Sequence, residues 1–207
     1  PVLRLLPREL IRIPEALRPE TRLKDEFLAS LEKLATEDAQ AKPVSRHSIR
    51  ASVITHAVKD FAASHTESEI LTLCDELWRL QRTDLCKAVG KLLAVDAVRD
   101  MEAVWTRLNG YKEEFRTAAA VDSLASAATR VLRAKPEYLN VMTEEWLSHP
   151  NVWVRRACLT FTRFRLKKTE DSLLIQEWVK RLSHEQNRVI QHAVVRFKRE
   201  LPTQNCK

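Results

Sequence analysis

The stretch Glu145-Trp146-Leu147-Ser148-His149-Pro150-Asn151-Val152-Trp153-Val154-Arg155-Arg156-Ala157 decides the fold, because its order comes back further along the chain. Glu177-Trp178 is followed by Leu182-Ser183-His184 and a second basic helix, and Ala157 and Ala193 lie 36 residues apart. Ala88 lies 69 residues before Ala157, which is two steps of about 35 with the midpoint close to Asp122. A spacing of this length belongs to paired-helix repeats, where each unit buries its apolar face only by stacking on the next.

Outward from this stretch the apolar residues keep a 3.6-residue rhythm. Leu23, Phe27, Leu31 and Leu34 begin it, and polar residues around Ala39 to Pro43 interrupt it. Ile49 to Phe61 restart it, and Thr66 followed by Glu69 has the spacing of a capping box opening a helix through Ile70, Leu73, Leu77 and Trp78. Further helices are predicted over Leu85 to Leu92, Val98 to Leu108, Phe115 to Leu132, Tyr138 to Leu147, 151–166, Leu174 to Leu182 and 186–201. Nothing alternates with period two. The expected fold is therefore all-α, a superhelical stack of antiparallel helix pairs (an α-solenoid) of HEAT-like repeats, since the Gly and Tyr offsets of the tetratricopeptide pattern are missing. Residues 1–44, with Pro7, Pro14 and Pro19 among arginines, are read as a Pro/Arg-rich arm plus a first helix, and 45–207 as the repeat domain.

The composition removes whole classes of chemistry. Among 207 residues only Gly90 and Gly110 are glycine, so no glycine-cradled phosphate loop or nucleophile elbow is present. Cys74, Cys86, Cys158 and Cys206 are widely spaced and form no Cys-x-x-Cys pair. The spacing points to a reducing compartment, and Cys74, Cys86 and Cys158, which fall among apolar residues, point to core packing. His184-Glu185 is followed by Gln186-Asn187, which ends any His-Glu-x-x-His template, so neither a metal nor a cofactor is expected. No apolar run of membrane-spanning length occurs. The expectation is a soluble, cytoplasmic and nucleoid-associated monomer without a membrane partner.

Charge supplies a direction. The net charge of +7 is lopsided: residues 1–150 hold 22 basic and 23 acidic side chains, and 151–207 hold 13 and 5. A one-sided field favours a polyanion, most often nucleic acid. In the repeat reading 151–166 and 186–201 are second helices of their pairs and line the inner side of the superhelix. Trp153, Arg155, Arg156, Arg163, Lys168, Arg188, Arg196 and Arg199 are the candidate DNA-binding residues, suited to phosphate more than to base edges. Trp153 also continues the apolar stripe of Ala157 and Phe161, a core position. Asp122 stands as a single acid among small and apolar residues from Phe115 to Ala125. It is either a helix-surface or capping residue or a carboxylate facing the groove.

Asp75-Glu76-Leu77-Trp78, Val121-Asp122-Ser123, the 148–157 stretch and Ile190-Gln191-His192-Ala193 occur in an order that resembles the AlkD-type DNA alkylation repair family, the alkylpurine DNA glycosylases of HEAT-like repeats. The resemblance covers roughly residues 45–201. It implies a basic surface that holds double-stranded, damaged or distorted DNA and hydrolyses the N-glycosidic bond of cationic alkylpurines. It further implies that Asp122 is the catalytic carboxylate and that Arg156 supports the backbone at the lesion. Family members that excise such bases carry tryptophan at the places held here by Ala118 and Arg196. Binding of distorted or branched DNA without chemistry, and a protein-interaction scaffold, are the competing expectations.

Overall fold

A computed structural model of the chain describes residues 19–41, 49–164 and 169–199, and the regular structure among them is helical throughout. The elements are α1 (Pro19–Ala41), α2 (Ala51–Ser64), α3 (Glu67–Arg79), α4 (Thr83–Leu92) and α5 (Met101–Tyr111). They continue as α6 (Ala118–Ala134), α7 (Tyr138–Val141), α8 (Val152–Thr162), α9 (Thr169–Ser183) and α10 (Arg188–Lys198). The proline-bearing arm, Lys168, Leu201 and Cys206 lie outside the described residues.

Neighbouring helices pack as pairs, α1 with α2, α3 with α4, α5 with α6 and α9 with α10, while α8 is covered by the segment ending at Trp146. The second helices also pack on one another in series, α2 on α4, α4 on α6, α6 on α8 and α8 on α10. Each pair thus closes its core mainly against its neighbours, giving the helical solenoid that the repeat spacing implies.

Local sequence explains where the helices begin. The Thr66 hydroxyl accepts from the Glu69 backbone N–H at 3.4 Å while the Thr66 N–H donates to the Glu69 carboxylate at 2.8 Å, the reciprocal box that the spacing predicted. Asn151 and Asn187, 36 residues apart, cap α8 and α10 by the same device, accepting from Trp153 N and Val189 N at 3.0 and 2.9 Å. Thr117 caps α6, so this helix starts at Ala118 and not at Phe115. Phe115 turns into the core instead, edge-on to Trp78, Trp146 and Phe161.

The predicted helix from Tyr138 to Leu147 is a short α7 followed by a π-helical turn, Met142–Trp146, closed by Leu147 N donating to Met142 O at 2.9 Å. The wider turn delivers Trp146 into the core, where its indole N–H donates to Asn109 Oδ1 at 3.2 Å and its ring stacks on Trp105 at 5.3 Å. Cys74, Cys86 and Cys158 are buried, and burial pushes all three thiols up, away from the reactive thiolate.

One glycine has a strict steric role. A Cβ on Gly90 of α4 would meet the Ser123 carbonyl oxygen of α6 at 1.9 Å, so the two helices approach as they do only because that atom is missing. Ser123 follows Asp122, and the contact fixes the turn of α6 that carries the candidate carboxylate.

Candidate functional site

Asp122 lies five residues past the N-cap of α6 and is partly exposed. Arg156, five past the N-cap of α8, reaches back to it: Nη2 is 2.9 Å from Oδ1 and 3.2 Å from Oδ2. Its Nη1 donates to the Ala118 carbonyl at 3.5 Å, and the Trp153 ring lies 6.0 Å from the guanidinium carbon. Arg196 of α10 approaches from the other side, Nη1 standing 3.8 Å from Asp122 Oδ2. Three successive second helices therefore bring one carboxylate between two guanidinium groups, and the local charge is net positive.

The same register holds other polar side chains. Five residues past the N-caps of α4, α6, α8 and α10 stand Lys87, Asp122, Arg156 and His192. Asp122 is the one acid in a column of basic or protonatable residues. Lys87 is not singled out by the sequence and His192 only as part of the Ile190–Ala193 motif, not as a site residue; the repeat alignment of the N-caps is the signal that finds both.

The remaining candidates divide into two kinds. Arg188, Arg196 and Arg199 are exposed on α10 and at its C-terminus, and Arg163 lies at the end of α8. At the spacing 188, 192, 196, 199 the α10 residues share one helical stripe. Arg155 is engaged inside the fold. Its Nε and Nη2 grip Glu185 at 2.8–3.2 Å, and Nη1 donates to the carbonyls of His149 and Pro150. Gln191, its counterpart one repeat later, likewise donates to the carbonyls of Ser183 and Glu185. Arg155 and Gln191 are thus junction residues that tie a helix start to its preceding loop. Trp153 is partly buried and packs against the core, bracing Arg156.

Arg156, Leu159, Thr160 and Arg163 of α8 and Ala193, Arg196 and Phe197 of α10 line a groove open to solvent. Among the described residues no three His, Cys, Asp or Glu side chains gather to hold a metal ion. No helix among them is long and apolar enough to cross a membrane.

Fold and site together define a helical-repeat solenoid whose row of second helices carries an acid-centred cluster of arginines. The chain belongs to the family described as DNA alkylation repair enzyme, whose model matches residues 28–205. No curated protein and no solved structure matches the chain.

Proposed function

We propose that this protein works in alkylation repair by binding duplex DNA along the exposed side of α6, α8 and α10, as a monomer, with its cations on the phosphate backbone. The observation that carries this reading is the convergence of Arg156, Arg163 and Arg196 on one groove beside Asp122. The large apolar side chains exposed among the described residues are three, Leu80 at the end of α3, Leu173 on α9 and Val195 on α10. Three single side chains are fewer than the extended apolar patch that a protein-docking scaffold would present.

In the chemical step proposed for this site, the bond between C1′ and the purine nitrogen breaks, and the bonding pair goes to the base. A purine made cationic by alkylation leaves as a neutral molecule. The sugar is left with oxocarbenium character, water adds at C1′, and the water's proton passes to solvent. Asp122 supports this step by placing negative charge beside the developing cation and by orienting the water.

A second reading, binding of distorted or branched DNA without chemistry, is favoured by one specific observation. Arg196 sits 3.8 Å from Asp122, at a place where the family resemblance implies tryptophan in excising members, and a guanidinium repels a sugar cation that an indole face would attract. Two measurements separate the readings: duplex affinity across a salt series, and release of 7-methylguanine from a methylated duplex. Excision that Asp122→Asn abolishes supports hydrolysis. Salt-sensitive binding without excision leaves the binder, and salt-independent binding would count against both.

A further inference from the structure

We propose that the groove between α8 and α10 is a receptor for one backbone phosphodiester of DNA and that Arg196 is shared between this receptor and Asp122. Seating a phosphate in the groove then draws Arg196 off the carboxylate. The inference rests on the DNA-binding reading above and adds to it a defined anion subsite and a coupling between that subsite and the acid.

Three observations carry it. First, Arg163 of α8 and Arg196 of α10 border one groove open to solvent, which Arg156, Thr160, Ala193 and Phe197 also line. Guanidinium forks match a phosphate's oxygens, and none of the groove-lining groups is acidic. Arg156 is engaged by Asp122 and the Ala118 carbonyl, and the Thr160 hydroxyl donates to the Arg156 carbonyl at 3.3 Å, so Arg163 and Arg196 supply the receptor's cations. Second, the two cations on Asp122 are held differently. Arg156 is 10% exposed, lies 2.9 Å away and is braced by Trp153, whereas Arg196 is 58% exposed and lies 3.8 Å away. The first contact belongs to the packed structure; the second is long, solvated and readily exchanged. Third, Arg196 belongs to both sets, being a groove-lining residue and a neighbour of Asp122. In the free protein the carboxylate therefore stands in for a phosphate on Arg196. A phosphodiester at charge-assisted hydrogen-bond distance replaces it, and Asp122 keeps Arg156 alone.

Two experiments on the whole chain test this. In the first, inorganic phosphate is titrated while the arginine Nε–H resonances are followed by NMR. Saturable shifts at Arg163 and Arg196, without one at Arg155, are expected. Equal drift at all arginines, or none, would mean that the groove is no receptor. In the second, duplex affinity is measured for wild type, Asp122→Asn, Arg196→Gln and the double variant. Removing the competing carboxylate should tighten binding roughly two- to fivefold, the range open to an exposed ion pair. That gain should vanish in the Arg196→Gln background. A gain of equal size in both backgrounds would reveal only a general field effect and overturn the sharing of Arg196. Asparagine can still accept from Arg156, and the phosphate titration needs no variant, so a folding defect does not obscure the result. If wild type binds no duplex, the DNA-binding reading falls, while the phosphate titration still decides the groove.

Discussion

At the scale of single residues, Asp122 and its two arginines differ in what each holds. Arg156 is buried and binds both a carboxylate and a backbone carbonyl, so Arg156→Ala removes packing and leaves Asp122 short of its main partner. Because Asp122 is 40% exposed, solvent relieves part of the loss, and thermal or urea unfolding should show a cost of about 1–3 kcal/mol. Arg196→Ala should cost less than about 0.5 kcal/mol in the same measurement, as expected of an exposed, long pair. Equal effects from the two variants would contradict this division of roles. The resemblance in motif order singles out Asp122 and Arg156 as candidates, and the structure places the two in contact. The role of Arg155 was not legible from sequence, since its partner Glu185 lies 30 residues away across a loop and helical periodicity is blind to such contacts. For the same reason, sequence placed Arg196 on the basic helix but did not pair it with Asp122.

At the scale of elements, the two glycines should respond to alanine with opposite signs. Gly90→Ala drives a methyl into the Ser123 carbonyl and should destabilise by about 1–3 kcal/mol or more, with α6 displaced from α4. Gly110 in α5 has nothing near its missing Cβ, and Gly110→Ala should stabilise by roughly 0.4–1 kcal/mol through helix propensity and a less flexible unfolded chain. Denaturant midpoints of the two variants check both. The capping box of α3 adds a pH signature. The Thr66 N–H and hydroxyl hold the Glu69 carboxyl below its usual range. A depressed folded value means that the contribution is present above the unfolded carboxylate pKa and is lost as pH falls through the folded one. The stability gap between wild type and Glu69→Gln should accordingly be open near neutrality and close on acidification. The helices themselves were legible because the 3.6-residue rhythm is strong. Thr117 and the π turn at Met142–Trp146 were not, because tertiary demand for Phe115 and Trp146 in the core overrides a rhythm that would have continued the helix.

For the whole molecule, the late-chain cations set a measurable field. On the proposed DNA-binding reading, duplex affinity should fall steeply with salt, and Arg188→Gln or Arg199→Gln should each reduce the log–log slope by about 1. Arg155→Gln should leave the slope nearly unchanged and instead lower the unfolding midpoint, because its guanidinium joins α8 to Glu185 and the 149–150 carbonyls. The aromatic residues that fill the core also make the solenoid self-reporting. Trp78 marks the pair α3/α4, Trp105 marks α5/α6, Trp146 and Trp153 mark the unit of α8, and Trp178 marks α9/α10. Variants keeping one indole at a time would emit from known stations along the array. Their fluorescence during unfolding would reveal whether the stack melts as one block or unzips unit by unit from an end.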